Sequence, residues 1–76
     1  MSEHVARCEW IVVGYDYRRN CDILEYRENG ILQFSYYGYR NDRKGCWKVY
    51  PRARGMFGYK NPIASEIYYH EAKRAY

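Results

Sequence analysis

A chain of 76 residues carrying a net charge of +4 is expected to form one domain, residues 1–76, with a thin core and no deep substrate cavity. Scaling laws give it roughly 5,000 Å² of folded surface against about 13,500 Å² unfolded. Leu, Ile, Val and Phe are only 13 of the 76 residues while Tyr alone is 11, so the predicted core is aromatic, and disorder, which goes with few aromatics and high net charge, is excluded.

Residues 8–17 (CEWIVVGYDY) are β-branched and aromatic on both alternating faces, which suits a central strand. A polar turn at 18–20 leads to a second predicted strand at 21–27 (CDILEYR). Asn29-Gly30 between apolar runs is a strong hairpin signal, because both residues accept positive φ. A third strand follows at 31–39 (ILQFSYYGY), then a polar turn at 40–45 and a short fourth strand at 46–50 (CWKVY), stopped by Pro51. In that strand Trp47 and Val49 share a face assigned to the core, while Cys46, Lys48 and Tyr50 share the other, with Lys48 on the open side.

Residues 51–61 read as a loop. Asn61-Pro62 has the chemistry of a helix start. Ile63, Ala64, Ile67, Tyr68, Ala72 and Ala75 recur at helical spacing, with Glu71 breaking the stripe. The expected fold is α+β: a four-stranded antiparallel meander with one C-terminal helix on one face. The uncovered face is then expected to expose several of Tyr15, Tyr17, Tyr37 and Tyr39 beside arginines.

Charge is uneven. Residues 1–38 sum to −2 and residues 39–76 to +6, and most of the excess lies in 40–60 as Arg40, Arg43, Lys44, Lys48, Arg52, Arg54 and Lys60. Tyr15, Tyr17, Arg18 and Arg19 form a second Tyr/Arg group, and Tyr37, Tyr39 and Arg40 a third. Tyrosine supplies stiff amphipathic area and arginine a planar fork of donors, a pairing enriched in interface hot spots and in contacts to nucleic acid. The bland alternative is strand-forming tyrosines in a small core and solvated basic turns.

Chemistry beyond binding is thin. Cys8, Cys21 and Cys46 are odd in number with no CxxC pair, so reduced and mostly buried thiols are expected. A zinc set completed by His4 or His70 matches no known spacing. No nucleophile, base and cavity converge, and the phosphate-loop patterns are absent. The expectation is no catalytic residue, no cofactor and no metal.

The stretches YRENG and YYGYRNDRKG resemble in composition the strands and turn of three-stranded domains that lay a sheet in the DNA major groove. That resemblance covers about 50 residues without a specific motif. It lacks those domains' glycine-phenylalanine lead into the helix, and the chain adds an N-terminal strand.

The sequence is read as a small non-enzymatic binding module, a stand-alone inhibitor or adaptor of a protein machine that handles nucleic acid. Phage-type antagonists, anti-CRISPR proteins among them, are the general class. The other reading is a direct nucleic-acid-binding domain using residues 40–60 and exposed tyrosines. No apolar run approaches the ~20 residues of a membrane helix, and MSEHVARCEW has no leader pattern. A cytoplasmic protein is therefore expected (host cytoplasm if phage-encoded), without a membrane partner, as a monomer or small homo-oligomer.

Overall fold

The computed structural model describes residues 7–52 and 65–75. Four long strands run β1 (Cys8–Asp16), β2 (Cys21–Glu28), β3 (Ile31–Asn41) and β4 (Cys46–Pro51), followed by two short ones, β5 (Glu66–Tyr68) and β6 (Ala72–Arg74). They form one six-stranded sheet in the order β5-β4-β3-β2-β1-β6. All neighbours are antiparallel except β1 and β6, which are parallel.

The turns follow local chemistry. Asn29 and Gly30 take φ of 54° and 82°, the left-handed pair that a tight hairpin needs. At the 17–20 turn, Asp16 Oδ1 accepts the backbone N–H groups of Arg18 and Arg19, and Asn20 turns the chain at φ 54°. At the next, Asn41 O accepts the N–H groups of Lys44 and Gly45.

The expected C-terminal helix is overturned. The described residues contain no α-helix, and 65–75 fold as β5, a 3₁₀ turn (Tyr69–Glu71) and β6. The expected helix start at Asn61-Pro62 and most of the expected 51–61 loop lie outside the described residues. The physical reason is competition. The proposed helical stripe leans on alanines, which bury little, and is interrupted by Glu71, whereas Glu66-Ile67-Tyr68 alternates with period two. Ile67 pairs with Trp47 on the edge of β4 and is buried, and Ala72 pairs with Trp10 on the edge of β1. An isolated short helix has little stability of its own; two unpaired sheet edges offer backbone hydrogen bonds at once. The four-stranded meander thus becomes six-stranded, and the resemblance to sheet-plus-helix domains loses its helix.

That chain path forces curvature. In a flat six-stranded sheet the outer strands would stand about 24 Å apart. Tyr68 and Ala72 end and begin those two strands, and four residue steps reach at most about 14 Å. The sheet therefore curls into a half-barrel. Its inner face carries Val12, Leu24, Tyr36, Trp47, Val49 and Ile67, all buried, with Trp10, Phe34, Tyr69 and Ala72 packed against them. Among the described residues the curl itself, not a helix, covers the core.

Two register shifts set which side chains face inward. One in β1 leaves Val13 without an opposite residue, so Tyr15 pairs with Asp22 and joins the inner face. This corrects the expectation that Tyr15 stands on the open face: a bulge reverses strand parity. A second falls between Tyr26 and Arg27, at Gln33 of β3. Gly38 faces inward where any Cβ would collide with Leu24 Cδ1 and lie 3.2 Å from Trp47 Cδ1.

Candidate docking face

Residues directly opposite in an antiparallel ladder share a face. Tyr37 is opposite Tyr50 and Tyr39 opposite Lys48, while Lys48 is opposite Glu66 and Cys46 opposite Tyr68. The outer face of β3, β4 and β5 therefore gathers four tyrosines in adjacent rows. Tyr39, Tyr50 and Tyr68 are 36%, 45% and 47% exposed.

The rings are held in place. Tyr39 and Tyr50 meet edge to face at 5.8 Å, and Tyr68 stacks on His70 at 5.9 Å. Arg19 and Arg52 bring guanidinium carbons to 4.5 and 5.5 Å from the Tyr37 ring centre, cation–π distances. Lys48 lies 6.0 Å from the Tyr50 ring. Arg52 also donates to Ser35 Oγ at 3.0 Å.

Several cations here already have partners. Arg19 Nη1 donates to Asp16 Oδ2 at 3.1 Å, a bond that raises the arginine's pKa. Hydrogen bonds from the turn, led by the Arg19 backbone N–H, hold the Asp16 carboxyl below its usual range. Lys44 Nζ bonds Glu66 Oε2 at 3.2 Å and is raised by that bond. Burial and the adjoining Cys21 thiol raise the Tyr39 hydroxyl.

The other sequence-derived residues are dispersed. Arg40 points inward: its Nε and Nη2 donate to Asp22 at 2.7 and 3.0 Å. Asp22 is 1% exposed and also accepts Trp47 Nε1–H at 2.7 Å. Burial pushes its carboxyl up, but the Arg40 and Trp47 hydrogen bonds outweigh that and the net direction is down. Tyr15 and Tyr17 pair edge to face at 4.9 Å, away from the outer-face cluster. Arg18 and Arg43 are exposed in turns; Arg54 and Lys60 lie outside the described residues. Folding thus divides the basic 40–60 segment, while it concentrates the tyrosines.

Alternation in the fourth strand placed Tyr50 on this face beside Lys48 without nominating it for binding; Tyr68, and Asp22 as the buried anchor of Arg40, were missed. Tyr68 was hidden by the helix assignment.

Among the described residues no group of three His, Cys, Asp or Glu side chains forms a metal-binding cluster. Cys21 and Cys46 are buried free thiols and Cys8 is exposed. No helix of the described residues is long and apolar enough to cross a membrane. No protein-family model, curated protein or solved structure matches the chain.

Proposed function

We propose that the protein is a non-catalytic binding module that docks on a protein partner through the outer face of β3, β4 and β5, acting as a stand-alone inhibitor or adaptor. The carrying observation is the division of the basic segment. Arg40 neutralises a buried carboxylate and Lys44 pairs with Glu66, while Tyr37, Tyr39, Tyr50 and Tyr68 come together with pre-set ring geometry. Aromatic anchors at the centre with charges at the rim are the anatomy of a protein hot spot. A phosphate-tracking ridge requires a continuous row of uncompensated cations. Lys48, Arg52 and Arg43 have no carboxylate partner among the described residues, so the matching surface is a groove with an acidic rim.

Immobilised protein exposed to host lysate, in parallel with and without nuclease treatment, tests this reading. A retained protein is expected whose affinity falls at least about 30-fold with Tyr50→Ala and less than about tenfold between roughly 50 and 200 mM salt. Retention of nucleic acid alone, with a log–log salt slope near −4 and no effect of Tyr50→Ala, would establish the phosphate-binding reading instead.

A further inference from the structure

The inner face is apolar along most of its length and polar at the end carrying the 17–20 and 42–45 turns. Strand parity places Tyr15 and Asp22 there in one row and Arg40 and Trp47 in the next. β6 adds Arg74 opposite Val12. Two clefts open at this end. One of about 220 Å³ is lined by Arg40, Asp42, Trp47, Tyr69, Ala72 and Arg74. The other, about 470 Å³, is lined by Val13, Gly14, Tyr15, Tyr17, Arg40 and Arg74. Arg40 and Arg74 form the wall common to both.

The two arginines are oriented differently. Arg40 is fixed by its paired bonds to Asp22, which use Nε and Nη2 and leave Nη1 without a hydrogen bond among the described residues. The Arg74 side chain has no hydrogen bond or ion pair among them, and its charge is felt by the buried Asp22 carboxylate that holds Arg40. In the smaller cleft Asp42 is an opposing charge, engaged at Oδ1 by the Tyr69 hydroxyl at 2.7 Å. The described lining of the larger cleft contains no carboxylate. It is shallow and open to solvent, so a ligand would lie against its arginine wall rather than be enclosed. At its mouth Tyr17 is 83% exposed and braced edge-on by Tyr15, so its ring can stack on a planar group.

We propose that the Arg40–Arg74 cleft binds a phosphate monoester carried on a planar ring, the chemistry of a nucleoside monophosphate. The phosphate lies between the two guanidinium groups and the ring on Tyr17. A phosphate monoester carries close to two negative charges at neutral pH and has oxygens enough for the full Arg74 fork and for Arg40 Nη1, the nitrogen that Asp22 leaves free. The source is either a free nucleotide or the terminal phosphate of a strand. This site is separate from the outer face, so its test does not depend on the docking proposal.

The Trp47 indole N–H, hydrogen-bonded to the carboxylate that holds Arg40, is the reporter. Adenosine monophosphate is titrated into the ¹⁵N-labelled protein, and the resonance is assigned with Trp47→Phe. A saturable shift is expected, with affinity at least about tenfold above that for adenosine or ribose 5-phosphate. Arg74→Gln, at an exposed position, is expected to weaken binding at least about tenfold, Tyr17→Ala several-fold, and Tyr50→Ala not at all, with each variant's fold checked by thermal melting. Tighter binding of a 5′-phosphorylated oligonucleotide than of the mononucleotide assigns the site to strand ends; equal or weaker binding assigns it to free nucleotide. No shift at about 5 mM nucleotide, a concentration that reveals millimolar affinity, would overturn the proposal. So would unchanged affinity in Arg74→Gln.

Discussion

Tyr36 and Tyr37 are adjacent in β3 and have opposite surroundings. Tyr36 is fully buried, its ring 5.3 Å from Trp10 and 6.3 Å from Phe34. Tyr37 faces outward between the guanidinium groups of Arg19 and Arg52. Arg40 and Arg52 differ in the same way: one is fixed to a buried carboxylate, the other lies on an exposed ring. The two faces use the same residue types, so composition does not distinguish stability from recognition. Strand parity does, and a one-residue slip would exchange the roles. The inner face holds most of the buried side chains, and the outer face is the one proposed for docking.

The hardest blow to this comparison is struck at Trp47. Trp47→Ala is expected to cost roughly 3–5 kcal/mol, most of the stability of a small domain, because it also takes a donor from Asp22. A cooperative urea transition near the wild-type midpoint would show that the inner face does not carry the fold.

Arg40→Ala comes next. It leaves the Asp22 carboxylate buried with Trp47 as its remaining donor, at an expected cost of about 2–3 kcal/mol at pH 7; this is the low end for a broken buried pair, because Arg40 is half-exposed and water reaches its place. The pH sign follows from the lowered Asp22 carboxyl. Its stabilising contribution is present above the ordinary carboxyl range, about pH 4, and is lost as pH falls through the folded-state value. The deficit of Arg40→Ala should therefore shrink on acidification, which urea midpoints measured from pH 7 to pH 3 would reveal. A constant deficit would remove Asp22 from the account.

Gly38→Ala introduces a methyl group where Leu24 and the Trp47 ring already lie, and overpacking of this kind costs about 1–3 kcal/mol. Calorimetry should show a lower Tm with the sheet's circular dichroism retained. Tyr50→Ala marks the smallest effect. Being exposed and on the outer face, it should move Tm by no more than about 3 °C. A larger fall would mean that the outer cluster is structural too, and the contrast between the faces would fail.

Much of the strand pattern was legible because it depends on local chemistry. The four long strands begin at Cys8, Cys21, Ile31 and Cys46, where β-branched and aromatic runs begin, and Asn29-Gly30 turns as its residues demand. The path of residues 65–75 was not legible from local pattern. Ile67 and Ala72 fit a helical stripe as well as they fit strands, and the outcome depends on open edges at β4 and β1 that exist only once the sheet forms. The bulge at Val13 leaves no compositional mark either, although Gly14 beside it is the residue type that tolerates one. Of the residues nominated for binding, Tyr37, Tyr39, Lys48, Arg19 and Arg52 share a face. Arg40 and Tyr15 point inward, and charge counting along the chain could not have shown that Asp22 waits for Arg40.

The closure of the half-barrel by its last strand also has a consequence in time. Lys73 Nζ bonds Glu9 Oε1 across 64 residues of chain, and Ala72 pairs with Trp10. During synthesis, one edge of β1 stays open until residues 72–74 have emerged from the ribosome. Contacts of such long range form slowly, because the entropy of bringing the ends together is lost before the contact stabilises anything. Until then a hydrophobic strand edge is available to neighbouring nascent chains. Released chains truncated before Ala72 should therefore be more prone to protease and aggregation than chains that end after Arg74, although the two differ by only a few residues.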